Sequence, residues 1–149
     1  MVVVRIVTGI RKHWVIRASE WVMLYPAIGL GLVLTYQEDL FQVSRSFGPL
    51  SRWADQSTWA IIVLAVAMTR LVALTVNGTF DGFRYSPHMR LIACIAGIFF
   101  WSQYFLGLTN AAYFEGGAWS GPVAYSTFVL FELLNIYRVW GDVALGRDG

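Results

Sequence analysis

Charge is scarce in this chain. Only 13% of its 149 residues are Asp, Glu, Lys or Arg, against about 25% in a typical soluble domain. Apolar residues make up 57% and aromatic residues 16%. A small domain still exposes much of its area after folding, so so few charges cannot make such a chain water-soluble. An ordinary soluble domain and a disordered chain are both excluded. Cysteine is nearly lacking as well. Cys94 stands alone in an apolar run, which rules out an internal disulfide and a secreted disulfide-stapled mini-protein. Histidine is limited to His13 and His88. They lack zinc-site spacing, and neither lies at the depth in a span expected of a haem ligand. There is no HExxH and no Gly-rich phosphate loop. No metal, no cofactor and no enzymatic activity are therefore expected. The net charge of +2 is too small to argue for nucleic acid.

What the chain has is long apolar runs. About 20 residues cross a bilayer, and four stretches approach that length: Ser19 to Tyr36, Ser57 to Val76, Pro87 to Leu108 and Pro122 to Trp140. The expected fold is all-α: one integral membrane domain over residues 1–149, a bundle of four transmembrane helices. Ser19 and Ser57 are candidate caps for the first two helices, and Ser86-Pro87 and Gly121-Pro122 open the last two. Gly78 and Gly141 suit helix stops. Pro26 interrupts the first span, where it is expected to kink the helix.

Four crossings place both termini on one side. That side carries Arg5, Arg11, Lys12, Arg17, Arg84, Arg90, Arg138 and Arg147, and the other carries Arg45 and Arg52. The excess of positive charge puts both termini in the cytoplasm. Trp53, Trp59 and Trp119 then fall at the outer interface, Trp14, Trp21 and Trp140 at the inner one, and Trp101 within a span. Residues 1–17 alternate apolar side chains with Arg5, Arg11, Lys12 and Arg17. They read as an N-terminal amphipathic segment on the inner-membrane surface. The outer loop from Gln37 to Gln56 carries Leu40, Phe41, Val43, Phe47 and Leu50, enough for an interfacial helix.

Two charges fall inside spans. Arg70 and Glu132 lie on antiparallel helices at similar depth. A charge there is costly and faces a partner in the bundle interior, so an intramembrane ion pair is expected, serving as a helix clip or as an ion-pathway element. Gln103 and Asn135 are further intramembrane polar residues, suited to interhelical hydrogen bonds. Ala27 with Gly31, Ala65 with Thr69 and Ala93 with Gly97 have small-xxx-small spacing. Phe99, Phe100, Trp101, Tyr104 and Phe105 form an aromatic run suited to lipid or subunit contact.

Several residue groups occur together: Ser57-Thr58-Trp59, then Arg70-Leu71-Val72-Ala73-Leu74 with Asn77-Gly78, Ser86-Pro87 with Arg90, and Asn135-Ile136-Tyr137-Arg138. This layout, over Ser57 to Arg138, resembles small multi-helix membrane proteins encoded by tailed phages and prophages of proteobacteria. The resemblance implies a phage-related origin and a place in the bacterial inner membrane. It brings no catalytic or binding residues, because that family has no firmly assigned activity. The expected partners are the lipid bilayer and either further copies of the chain or other membrane proteins, without nucleic acid. The leading expectation is a non-enzymatic protein that acts by assembly, either holin-like or in phage exclusion through a bound partner. A structural subunit of a larger membrane complex, and a small channel or transporter using Arg70 and Glu132, are the alternatives.

Overall fold

A computed structural model describes residues 17–79 and 85–144, together with Val4 and Trp14. Every regular element among them is helical. The order is α1 (Ala18–Val22), α2 (Leu24–Tyr36), α3 (Leu40–Val43), a 3-10 turn (Arg45–Phe47), α4 (Gly48–Ser51), α5 (Gln56–Thr79), α6 (Ser86–Phe114) and α7 (Ser120–Ala144). Three segments are long and apolar enough to cross a membrane: Ala18–Tyr36, Gln56–Val76 and Ser86–Phe114. The fourth expected span, now α7, does not join them on composition.

The first segment breaks at Met23. Pro26 has no N–H to give the Val22 carbonyl, so the helix loses a bond one turn before the proline. Met23 keeps helical torsions, and its N–H still reaches the Ser19 carbonyl at 3.0 Å. α2 packs on α5, α5 on α6, and α6 on α7, while α1 touches both α7 and α5. The proline break therefore falls where the first segment passes from one neighbour to the next.

The helix ends differ from the sequence reading in detail. Asp55, not Ser57, caps α5, its Oδ1 accepting the Thr58 N–H at 2.7 Å. Hydrogen bonds from the Thr58 hydroxyl first, and from its N–H second, hold the Asp55 carboxyl below its usual range. Ser19 and Ser86 lie inside helices, and their hydroxyls bond elsewhere. α5 runs through Gly78 to Thr79, and α7 runs through Gly141 to Ala144, since a helical glycine costs only about 1 kcal/mol. α6 stops at Phe114, where Gly116 takes φ 70°. That left-handed turn brings the Gly117 N–H to the Ala111 carbonyl at 3.0 Å. It sends α7 back along α6.

The loop between α2 and α5 is not one interfacial helix. Ser44 and the Gly48-Pro49 pair divide it into three short turns folded across the end of the bundle. Leu40 and Leu50 are buried there. Gly107 of α6 makes room for this cap, since a Cβ at that position would stand 2.8 Å from the Ser46 carbonyl oxygen. The amphipathic segment expected at the N-terminus, with Arg5, Arg11 and Lys12, lies outside the described residues apart from Val4 and Trp14. Trp14 stands against Trp21, ring centroids 5.8 Å apart.

Candidate functional site

The end of the bundle where α1 begins and α7 finishes is built around buried charge. Arg70 of α5 and Glu132 of α7 meet as expected from their depth. Arg70 Nη2 donates to Glu132 Oε1 at 2.7 Å and Oε2 at 2.6 Å, and to the Ala93 carbonyl of α6 at 3.3 Å. Arg70 is 3% exposed and Glu132 0%. One guanidinium nitrogen thus ties three helices. Gly97 makes the approach possible: a Cβ there would fall 2.8 Å from Glu132 Cδ and overlap the carboxylate. The small-xxx-small pair Ala93 and Gly97 therefore faces the interior, where it admits a charged side chain.

A second cluster lies nearer the start of α1 and the end of α7 and was not foreseen. Arg90 of α6 donates from Nε to Glu20 Oε2 at 2.9 Å, pairs through Nη2 with Glu20 Oε1, and reaches Asp142 Oδ2 from Nη1 at 3.0 Å. Both Arg90 and Glu20 are buried. This is a two-sided fork, the geometry that arginine supplies and lysine does not. Arg90 counts toward the positive side of the chain, yet it faces inward. The signal available was Glu20, an acid in the first turn of an apolar helix.

Arg17 corrects the sequence reading. It was expected on the inner-membrane surface, but it is only 5% exposed. Burial first, and Arg90 second, push its guanidinium down to about 10, while Glu20 and Asp142 oppose that shift. Arg17 stays cationic at neutral pH. Its charge opposes the fold below that value, and the penalty lifts as pH rises through it. With Arg17, Arg70 and Arg90 against Glu20, Glu132 and Asp142, the network is neutral. Balance of this kind is what lets charge persist away from water.

Asn135, one turn along α7 from Glu132, links the two clusters. Its Oδ1 accepts the Ser19 hydroxyl at 2.6 Å, and Arg138 Nη1 donates to the same hydroxyl oxygen at 3.2 Å. Asn135 is fully buried. Gln103, the other intramembrane polar residue singled out, lies apart from this network in the loop-end half of α6 and is half-buried.

The opposite half is aromatic. Phe100, Trp101 and Tyr104 are buried rather than turned to lipid, whereas Phe99 is exposed. Tyr104 stacks on Tyr125 at 5.3 Å between centroids and meets Phe47 of the cap edge-on at 5.3 Å. Trp101 packs on Phe128 at 4.9 Å. Trp59, expected at the outer interface, is 4% exposed, and its Nε1 donates to the Leu50 carbonyl at 3.0 Å. Trp53, Trp119 and Trp140 are exposed. Gln56 pins the cap: Nε2 donates to the Leu34 and Gln37 carbonyls at 2.9 and 2.6 Å, and Oε1 accepts the Phe41 N–H at 3.1 Å. Beside it opens a cleft of about 630 Å³, whose walls include Glu38, Asp39 and Asp55.

Among the described residues, no group of three or more His, Cys, Asp or Glu is placed to hold a metal. The arrangement can fix helices in register and hold internal charge. Compared with models of protein families, with curated proteins and with solved structures, the chain finds no match.

Proposed function

We propose that the chain is a four-helix integral membrane protein of phage type that acts without catalysis, in the bacterial inner membrane, by engaging other membrane proteins as a closed bundle. The fourth crossing is argued from α7. Its buried residues include Glu132 and Asn135, while Val123, Leu130, Leu133, Leu134, Tyr137 and Trp140 point outward. A helix that turns two polar groups inward and this many large apolar side chains outward suits hydrocarbon better than water. Arg90 also binds Glu20 and Asp142 at once, so the first and last helices end on the same side, as four crossings require. The excess of Lys and Arg at that end favours the cytoplasm. The phage assignment rests on the residue groups between Ser57 and Arg138.

The observation that carries the functional reading is the direct closure of Arg70 on Glu132 between α5 and α7. The Arg70–Glu132 pair is direct, and the space beside it is about 20 Å³. That is room for one water and not for a conduction path. A rigid bundle with an outward apolar perimeter suits partner binding or phage exclusion better than a collapsible pore.

Two measurements test this. Protein reconstituted into vesicles is expected to leak neither ions nor dye. Purified in nanodiscs from its native host, it is expected to carry other membrane chains at fixed stoichiometry. Leakage lost in Glu132→Gln without loss of folded protein would overturn the reading in favour of a channel. Leakage from a homo-oligomer would overturn it in favour of a holin.

A further inference from the structure

α6 leaves one face uncovered by the rest of the bundle. Ile92, Phe99, Leu106 and Tyr113 recur along it every seventh residue, and each is more than half exposed. Ala96, Gln103 and Asn110 fall between them, so the spacing along the line alternates four, three, four, three. This is the pattern of a coiled-coil seam, with the large apolar residues at d and Ala96, Gln103 and Asn110 at a. Gln103 is half-buried and Asn110 is exposed. Among the described residues, neither carboxamide has a hydrogen-bond partner. Phe100 is the middle residue of α6, so Gln103 stands about 4.5 Å from the helix midpoint. In a hydrocarbon layer roughly 30 Å thick that position is deep, while Asn110 falls at the boundary. Lipid tails offer an amide nothing to bond, and leaving it unmet there is costly.

We propose that this seam is a homodimer interface, on which a second copy of the chain lays the same face of its own α6, with the Gln103 carboxamides of the two copies paired. Copies that insert in one orientation hold identical residues at one depth. A two-fold axis along the membrane normal then sets Gln103 opposite Gln103. A carboxamide carries both a donor and an acceptor, so each NH₂ donates to the other's Oε1 and no different group is needed. A polar residue at a fixes two parallel helices in register, and amides of this kind bond across membrane helices. The interface goes beyond the partner-binding reading and does not depend on it, because a dimer joined through α6 leaves the Arg70–Glu132 closure untouched and leaks nothing.

The test uses the full chain in lipid vesicles, with separate batches carrying donor and acceptor dyes. Energy transfer is expected to fall along a monomer–dimer curve as lipid is added. Transfer no greater than random proximity would overturn the interface. Gln103→Leu should weaken the dimer about 5- to 30-fold, the effect of one amide pair between membrane helices, and Gln103→Asn, which keeps the carboxamide, should lie nearer the parent. A dimer of parental strength in Gln103→Leu would overturn the pairing. In native membranes, Leu106→Cys should cross-link two copies under mild oxidation, whereas Leu130→Cys, equally outward on α7, should not. Cys94 is buried and stays out of that reaction. Equal cross-linking at both positions would mean random collision, and a Leu106→Cys bridge to a different protein would mean that another chain covers the face. Either result would overturn the homodimer.

Discussion

The two halves of this bundle are held together by opposite chemistries. Toward the start of α1 and the end of α7, helices meet through Arg70–Glu132 and through Arg90 with Glu20 and Asp142. Toward the capping loop they meet through Trp59, Phe100, Trp101, Tyr104, Tyr125 and Phe128. Ion pairs are directional and fail when one member is lost, because the other is left charged and buried. Aromatic contacts are many and individually small, so they fail in proportion to the volume removed. One half thus specifies which helices meet and at what register. The other supplies bulk cohesion and a floor for the cap.

The sharpest way to break this comparison is to remove single charges. Glu132→Ala should cost about 3–5 kcal/mol, the usual penalty for orphaning a buried partner, seen as lost folded yield in detergent. Replacing both members, Arg70→Met with Glu132→Met, should recover most of that loss. A double variant as unstable as the single one would show that the pair contributes more than mutual neutralisation. Trp101→Ala in the aromatic half should cost a similar ~3–5 kcal/mol, but no partner substitution should rescue it. Thermal unfolding of the two sets therefore separates the chemistries by rescue rather than by size.

Next in size are the two glycines that admit close contacts. Gly97→Ala and Gly107→Ala should each cost about 1–3 kcal/mol by overpacking. Glu132→Asp should relieve the first, since its shorter side chain withdraws the carboxylate, and leave the second unchanged. Smaller still is Asp142→Asn. Its side chain is 31% exposed, so solvent screens the pair, and a loss under about 1 kcal/mol is expected by double-mutant cycle with Arg90. The smallest effect belongs to Asp55, which is exposed. Its folded carboxyl lies below the unfolded value. Its cap is therefore fully effective above the unfolded value and is lost as pH falls through the folded one. Asp55→Ala should melt slightly below the parent at neutral pH and converge with it in acid.

Much of the first half was legible as an argument about cost. Arg70 and Glu132 are conspicuous because each interrupts an apolar run, and antiparallel helices put them at one depth. Arg90 and Glu20 were hidden for the opposite reason. Each sits near a span end, where charge is cheap and a surface position is the simpler expectation. Arg17 misled in the same way, standing beside a basic stretch. In the aromatic half, composition could not distinguish rings that face lipid from rings that face protein, since hydrocarbon and core are equally apolar. Phe99 and Phe100 are adjacent, yet one is exposed and the other buried.

The sequence by itself determined that this chain is helical, that three segments are apolar enough to cross a membrane, that Pro26 breaks the first, and that buried charge must find buried countercharge. These follow from local properties: hydropathy over a window, a missing N–H, the cost of an ion away from water. Only the tertiary structure decided that α7 turns Glu132 and Asn135 inward, that Glu20 and Asp142 share Arg90, and that the loop folds back as a cap on Gly107. Those outcomes depend on which faces of which helices meet, and apolar patterning leaves that open when every side of a helix has something apolar to touch.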